Sequence, residues 1–403
     1  MLSRRVTPFI LIVFVLMLLP SPPMIRAERP DAPPYAKRGA FPVGVREVTI
    51  PAGGAPSDYP LQATIWYPAV KAADVEETST YRWFLLEGEG RAIENAPPEG
   101  GGAPYPLIVF SHGLSGLRYQ LPSYLEHLAS WGFVVIAADH PGSTFTDVQS
   151  GGRAGILNSF ARRPLEIQRE IVFMEGVNAE GTLKGVIDMA MIGVTGHSFG
   201  GYTTLSAGGG RLDFGGLQEQ CAKATPERET ACTFLESLDE IAAARGITPP
   251  NDGFFPATTD PRIRAIVPLA PSSGQIFGER GAAPITIPMM IIVGSADRAT
   301  IPERDSYPVY QAVSSPEKAL VVLENAGHYV FVERCTPLVI RLGLYGQCSD
   351  LVWDMDRAHD LTYHFATAFF LTTLKGDSAA RAALAPSENV FTGVRYETTL
   401  KTN

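Results

Sequence analysis

Three side chains suited to acyl transfer each follow an apolar segment, although they lie far apart in the sequence. Ser198 follows the first of these segments, Asp297 the second and His328 the third. A serine hydroxyl becomes a good nucleophile when a histidine nitrogen accepts its proton, and a carboxylate then orients the histidine and stabilises the imidazolium. These residue types therefore predict a nucleophile, an acid and a base that act together on a carbonyl group.

The serine lies in a short turn in which glycines occupy the positions with the least room. The segment 196–200 reads GHSFG, and a Cβ atom at either glycine would collide with backbone in a sharp strand-to-helix turn. Such a turn exposes the hydroxyl above a helix N-terminus, where the N–H group of Phe199 could stabilise an oxyanion. A second N–H group could come from Leu114, in a loop after another apolar segment. The alternatives are a glycine-rich turn with a bystander serine and a plain strand-to-helix turn at Leu114.

Nearby polar residues offer simpler structural interpretations. Glu324 is a rival to Asp297 as the acid, and Asp297 could instead cap the helix that follows it. Of these interpretations we favour Asp297 as the acid. His197 is expected to pack beside the serine turn without transferring a proton, and the pair Asp139-His140 is interpreted as part of a structural loop.

Apolar segments that alternate with helical patterns predict the scaffold for these residues. Short unbroken apolar segments such as 107–110, 133–138 and 289–293 are typical of buried parallel strands. We therefore predict an α/β fold with a mostly parallel sheet and helices on both faces. In such sheets the ligand crevice lies outside the carboxyl ends of the strands, so the three candidate residues are expected at one edge.

The domain that contains this sheet is predicted to span residues 43–375. It includes two insertions, of which 72–104 is expected on the surface because it is acidic at first and then rich in glycine and proline. The second insertion, 211–260, interrupts the alternation of strands and helices and could form a cap over the site. Residues 28–42 are expected to be a flexible lead-in, and 376–403 a C-terminal tail.

The first 27 residues have the features of a signal peptide. Two arginines precede an unbroken apolar run from Phe9 to Leu19, and prolines end that run. Because the run is short for a transmembrane helix, we predict a periplasmic or secreted protein with no stable membrane span after export. An uncleaved anchor is left open, since the residues before Ala27 fit a cleavage site poorly.

The four cysteines lie in two close pairs, Cys221 with Cys232 and Cys335 with Cys348. Four cysteines allow three pairings, and in an oxidising compartment proximity favours the two local disulfides. No C-x-x-C spacing is present, which makes a metal site less favoured. We therefore expect structural cysteines, no metal and no other cofactor.

Composition narrows the class of partner. The formal net charge of −9 and the lack of a dense Lys/Arg stripe argue against a nucleic-acid partner. With 45% hydrophobic residues, a chain of 403 residues can form one large core. The expected partner is a small-molecule or lipid ester.

Taken together, the motifs resemble those of the α/β-hydrolases. The segments FSHGL (110–114), LASWGFVV (128–135) and GHSFGG (196–201) are most similar to the platelet-activating-factor acetylhydrolase and dienelactone-hydrolase-like serine esterases. The resemblance covers roughly residues 43–374 and implies an α/β-hydrolase fold, with Ser198 as nucleophile and Leu114 and Phe199 as the oxyanion hole. The acetylhydrolases carry their acid one strand earlier, at a position that falls near Ala270 and lacks a carboxylate, so the acid here fits Asp297.

These observations predict an exported serine hydrolase that cleaves carboxylic esters, with a short or lipid-like acyl group, through an acyl-enzyme. One alternative is a catalytically silent hydrolase fold that serves binding. Another is a hydrolase of amide or peptide bonds. The sequence leaves the substrate open among phospholipids, polyesters, lactones and simple esters.

Overall fold

A computed structural model of the chain describes residues 29–54, 59–83, 86–223 and 230–402. The strands in these residues are β1 (Val43–Ile50), β2 (Leu61–Pro68), β3 (Ser79–Trp83), β4 (Leu86–Gly90), β5 (Ile93–Glu94), β6 (Tyr105–Ser111), β7 (Val134–Ala138), β8 (Ile187–His197), β9 (Ile263–Leu269), β10 (Met289–Gly294), β11 (Lys318–Leu323) and β12 (Val394–Thr398).

The α-helices of the described residues are α1 (Pro122–Ser130), α2 (Phe145–Glu180), α3 (Phe199–Ala207), α4 (Phe214–Lys223), α5 (Leu238–Ala244), α6 (Gly274–Ala282), α7 (Pro302–Asp305), α8 (Tyr307–Ala312), α9 (Pro337–Arg341), α10 (Met355–Lys375) and α11 (Ser378–Ala383). Short 3-10 helices span Pro34–Ala36, Thr230–Ser237, His328–Phe331, Tyr345–Gln347 and Pro386–Glu388.

Ten of the strands form one sheet in the order β12-β11-β10-β9-β8-β6-β7-β2-β1-β5, while β3 and β4 form a separate hairpin. Strands β6 to β11 are parallel to one another. The chain passes from β6 to β7 on one side and then to β8 on the other side of β6. This reversal of strand order opens a crevice at the carboxyl ends of β6 and β8, which is where ligands of such sheets bind.

The central strands of the sheet carry apolar residues along their whole length because helices cover both faces of the sheet. Every residue of β6 and of β10 is buried. Alternate residues of β6 contribute to two different core clusters. One cluster joins the sheet to α2 and α3, and the other joins it to α1 and α10. The predicted α/β fold with a mostly parallel, doubly covered sheet is thus confirmed.

Both ends of the predicted domain differ from expectation. Residues 28–42 were expected to be a flexible lead-in, yet Tyr35 is buried and its ring lies 5.0 Å from that of Trp131. The segment 376–403 was expected to be a tail, but it contains α11 and also β12, which pairs antiparallel with β11 at the sheet edge. The alternating burial of β12, with polar side chains outward, is the weak signal of an edge strand, which explains why it was missed.

The two predicted insertions contain regular structure. Residues 72–104 include the β3–β4 hairpin, whose Tyr81 hydroxyl oxygen accepts a hydrogen bond from the indole N–H of Trp66 on β2 at 2.7 Å. Residues 211–260 include α4, the 3-10 helix Thr230–Ser237 and α5. The ring of Phe234 in this second insertion lies 4.5 Å from that of Phe160 on α2. The second insertion therefore packs on the helix that flanks the crevice.

Helix α2 spans 36 residues along the core. It starts with a capping box formed by Thr144 and Asp147, and it is interrupted at Gly152, where φ is 58°.

The predicted signal peptide, 1–27, lies outside the described residues. Among the described residues, no helix combines the length and the apolarity needed to cross a bilayer.

Candidate active site

The turn between β8 and α3 places Ser198 in an unusual backbone conformation. Ser198 has φ 59° and ψ −114°, a backbone conformation with positive φ that residues other than glycine rarely adopt. A Cβ atom at Gly200 would lie 1.8 Å from the carbonyl oxygen of Ser111, and one at Gly196 would lie 2.6 Å from the same oxygen. The glycines are therefore required, because β6 approaches the serine turn too closely for any side chain.

Ser198 and His328 meet at the carboxyl edge of the sheet. The Ser198 Oγ atom lies 2.9 Å from Nε2 of His328, although 130 residues separate them. Nδ1 of His328 lies 2.6 Å from Oδ2 of Asp297. The geometry fits an Nδ1–H tautomer, in which the ring donates to the carboxylate and accepts from the serine hydroxyl. The structure thus brings together all three residues that were predicted from three separate strand ends.

The Asp297 carboxylate is fully engaged. Its Oδ1 accepts the backbone N–H groups of Ala299 and Thr300, each at 2.8 Å, and its Oδ2 lies 2.8 Å from the Thr300 hydroxyl. Burial by itself would raise the pKa of Asp297, but His328 and Thr300 hold that pKa below its ordinary 3.8. The carboxylate is therefore ionised at neutral pH and is oriented for the imidazole.

The rival acid lies elsewhere. The carboxylate of Glu324 accepts from Arg395 at 3.2 Å and is partly exposed. The position near Ala270, one strand before Asp297, offers only a backbone carbonyl, which lies 3.1 Å from the Thr300 hydroxyl. Thr300 was not singled out from the sequence, although its place three residues after an acid was the available signal.

The loop that carries His328 is held from two sides. The ring of His197 lies 4.7 Å from that of His328, and its Nε2 is 3.1 Å from the His328 carbonyl oxygen. Burial, and next the neighbouring His328, lower the pKa of His197 to about 3, so this ring stays neutral. The Gly327 N–H donates to Oδ2 of Asp350 at 2.7 Å, while Oδ1 of Asp350 accepts the N–H groups of Val352 and Trp353.

Leu114 lies in the loop after β6, and Phe199 begins α3. The Gly113 N–H donates to Oε1 of Gln120 at 2.6 Å, which fixes the residue before Leu114. Gly113 lies against the serine turn, because a Cβ atom there would be 3.4 Å from the His197 carbonyl oxygen. Within the described residues, neither the N–H group of Leu114 nor that of Phe199 donates to a backbone carbonyl. Both groups are therefore available to a ligand oxygen.

A buried polar network under this loop was not predicted as part of the site. Arg163 and Glu166 on α2 and His140 after β7 are all completely or almost completely buried. His140 Nδ1 lies 2.8 Å from Oε2 of Glu166, and its Nε2 lies 2.9 Å from Oγ of Ser111. The available signal was a row of charged side chains with helical spacing on α2, which a surface helix would direct to solvent.

The four cysteines form the two local pairs. Cys221 is bonded to Cys232 with Cα atoms 5.9 Å apart, and Cys335 to Cys348 with Cα atoms 4.9 Å apart. The second disulfide closes a lobe that follows His328 and contains α9. No group of three or more His, Cys, Asp or Glu residues in the described ranges is arranged to hold a metal ion.

Comparisons with known proteins match two separate parts of the chain. Residues 37–147, which include the loop with Leu114, match the family model described as platelet-activating factor acetylhydrolase, isoform II. Residues 252–344, which include Asp297 and His328, match the model described as PET hydrolase-like. Ser198 lies between the two matched ranges.

A known protein relative agrees with the first of these models. Over 138 residues the chain is 29% identical to a platelet-activating factor acetylhydrolase of Cavia porcellus. The matched stretch spans 26% of this chain and 32% of that protein. The mostly parallel sheet is consistent with an α/β-hydrolase fold, and separate parts of the chain are similar to platelet-activating factor acetylhydrolases and to PET hydrolase-like proteins.

Proposed function

We propose that this protein is a serine hydrolase that cleaves carboxylic esters through an acyl-enzyme. The observation that carries the proposal is the hydrogen-bonded series from Ser198 Oγ to His328 Nε2 at 2.9 Å and from His328 Nδ1 to Asp297 at 2.6 Å. Both distances fit a nucleophile and base within reach of each other, with the base oriented by a carboxylate.

In the proposed reaction, the Ser198 oxygen attacks the ester carbonyl as its proton moves to Nε2 of His328. Asp297 stabilises the resulting imidazolium, and the N–H groups of Leu114 and Phe199 bind the oxyanion of the tetrahedral intermediate. His328 then gives the proton to the departing alkoxide. Water hydrolyses the acyl-enzyme by the same steps in reverse, with His328 again as the base.

The exposed side chains around the crevice favour a substrate with an apolar acyl or alcohol group. Four exposed apolar side chains lie in the loops that carry the proposed site or at the start of α2: Leu114, Phe145, Ile301 and Tyr329. Leu114 supplies a proposed oxyanion donor, and the last two directly follow Thr300 and His328 in sequence. We propose short-chain or lipid-like esters as the substrate class, in keeping with the acetylhydrolase among the relatives.

Export is the second part of the proposal. Two disulfides favour an oxidising compartment, either the periplasm or the medium. The sequence of residues 1–27 supports a cleaved signal peptide. Mass spectrometry of the protein from cell fractions tests this, since a mature N-terminus near residue 28 is expected and an intact Met1 would indicate an uncleaved anchor.

Activity towards a series of p-nitrophenyl esters of increasing acyl length tests the enzymatic proposal. Wild-type protein should turn over at least the shorter esters and react with a fluorophosphonate probe at Ser198. Ser198→Ala should lower kcat by about 10⁴-fold or more and abolish labelling while the melting temperature changes little. Ser150→Ala, at an exposed serine of α2, is the matched control and should behave as wild type.

Three results would count against the proposal. Labelling that persists in Ser198→Ala would place the nucleophile elsewhere. Wild-type protein that neither hydrolyses esters nor reacts with the probe would favour a silent binding protein, and cleavage confined to anilide or peptide substrates would favour an amide hydrolase.

A further inference from the structure

Arg163 lies beneath the loop after β6 and is completely buried. Its Nη1 donates to the carbonyl oxygen of His112 at 2.5 Å, and its Nη2 donates to Oγ of Ser143 at 2.7 Å. Its Nε lies 3.2 Å from Oγ of Ser159. Among the described residues, every oxygen that accepts from Arg163 belongs to a hydroxyl or to a backbone carbonyl. The guanidinium therefore orders neutral groups of the site and is not held in a direct ion pair.

The next peptide unit of the loop is held through the ring of His112. Nδ1 of His112 lies 2.7 Å from the Gly113 carbonyl oxygen, and Nε2 accepts the backbone N–H of His140 at 3.0 Å. This pattern requires a neutral ring with the proton on Nδ1. Burial, and next the charge of Arg163, keep the pKa of His112 well below its ordinary value, in agreement with that tautomer. Nη2 of Arg163 also lies 3.5 Å from the same Gly113 oxygen.

The Gly113 carbonyl and the Leu114 N–H belong to one peptide group. A cation and a ring N–H on the oxygen side fix the orientation of that group and polarise it, so the N–H on the other side becomes a better donor. The same guanidinium also contacts the second donor residue, because its Cζ atom lies 4.2 Å from the centre of the Phe199 ring. One buried cation thus contacts the peptide group that contains the Leu114 N–H, through the Gly113 carbonyl oxygen, and also the ring of Phe199.

We propose that Arg163 is the positioning residue of the oxyanion hole, which it orders and polarises through the His112 and Gly113 carbonyls on one side and the Phe199 ring on the other. This inference rests on the proposed esterase activity. It assigns to Arg163 a role that appears when negative charge develops on the substrate oxygen, and not when the neutral ester binds.

The charge of Arg163 persists at neutral pH. Burial lowers its pKa to about 9, and Glu166 opposes that change. Because the Arg163 guanidinium is completely buried, its positive charge acts on the developing oxyanion with little screening by solvent. Loss of the charge should therefore weaken binding of the transition state more than binding of the substrate.

The test compares Arg163→Met and Arg163→Lys with wild type, using p-nitrophenyl butyrate and a trifluoromethyl ketone that adds to Ser198 to form a tetrahedral oxyanion. Fluorophosphonate titration counts functional sites, so that rates are expressed per competent enzyme. Arg163→Met should lower kcat by about 30- to 300-fold with KM changed less than about threefold. Affinity for the ketone should fall in proportion to kcat/KM. Arg163→Lys should show intermediate losses, because it keeps the charge but not the forked geometry.

Arg245→Met is the matched control, since Arg245 is another largely buried arginine whose pKa is lowered by burial. It should lower the melting temperature while kcat and ketone affinity per titrated site stay near wild type. If Arg163→Met does not fold, Arg163→Lys decides the matter by the same measurements. Wild-type kcat and ketone affinity per titrated site in a folded Arg163 variant would overturn the inference while leaving the esterase proposal intact. An inactive wild-type protein would instead refute the esterase proposal itself.

Discussion

Replacing Gly200 by alanine should damage catalysis more than stability alone explains. The new Cβ atom would lie 1.8 Å from the Ser111 carbonyl oxygen, whereas real Cβ contacts essentially never fall below 3.0 Å. The serine turn and the end of β6 must therefore move apart by about 1.2 Å, the difference between these two distances. That movement displaces Ser198 from the loop that carries Leu114, so the nucleophile and the proposed oxyanion donor lose their relative position.

The expected cost follows from that displacement. A misplacement of about 1 Å reduces catalysis by about 100-fold, and overpacking of a dense core costs about 1–3 kcal/mol of stability. Gly200→Ala should therefore lower kcat/KM for p-nitrophenyl butyrate by about 100-fold per folded molecule, together with a lower urea midpoint. Circular dichroism and urea unfolding on the same samples separate the two effects.

Gly176→Ala provides the control within the same chain. Gly176 is exposed on α2, and a Cβ atom there meets nothing within 4 Å. The helix should gain about 0.5–1 kcal/mol from the better helix former, with kcat/KM unchanged. If Gly200→Ala retained wild-type kcat/KM and the wild-type urea midpoint, the close approach of β6 to the serine turn would be wrong.

Three further predictions follow from the electrostatics and the disulfides. Asp297→Asn should lower kcat by about 10⁴-fold. Because the pKa of Asp297 lies below 3.8 in the folded protein, its carboxylate should stabilise the fold above about pH 4, and that stability should be lost as pH falls further. Acid unfolding of the wild type and the variant measures the difference. Burial raises the pKa of Glu170 well above 4.5, so folding retains a proton that the unfolded chain releases, and stability declines as pH rises above that value. Glu170→Gln should match wild type in urea at pH 4 and exceed it by about 1–3 kcal/mol at pH 8; equal midpoints at both pH values would contradict this. Replacing Cys335 and Cys348 together by serine should cost about 3 kcal/mol in urea unfolding. Reduction of the wild type, which also opens the Cys221–Cys232 disulfide, should cost at least as much.

The site could be anticipated from the sequence because its parts are local. Each candidate residue follows its own apolar segment, and parallel strands align their carboxyl ends, so the edge shared by Ser198, Asp297 and His328 follows without knowledge of the strand order. The glycines around Ser198 also have a local cause, which is the close approach of the backbone in that turn. What remained open was whether Asp297 or Glu324 faces the imidazole, since both follow strands and only the packing of the loops decides between them.

The parts that escaped prediction depend on long-range packing. Charged residues on α2 suggest a surface helix, yet Arg163 and Glu170 face the interior. There the loop after β6 supplies carbonyl oxygens for the arginine, and Ser143 and Ser159 supply hydroxyls. The pairing of β12 with β11 brings together segments about 70 residues apart and leaves polar side chains outward, so periodicity alone gives little signal. The buried Tyr35 likewise depends on Trp131, which is distant in sequence.

The hydrogen bond between Gly327 and Asp350 has a consequence for how proteins with this fold can diversify. It joins the two ends of the excursion that runs from His328 through the Cys335–Cys348 lobe. The His328 ring is therefore anchored at the base of that excursion and not by its tip. Related chains can lengthen, shorten or exchange the lobe as a module and keep the imidazole in register, provided that an acceptor remains where Asp350 stands.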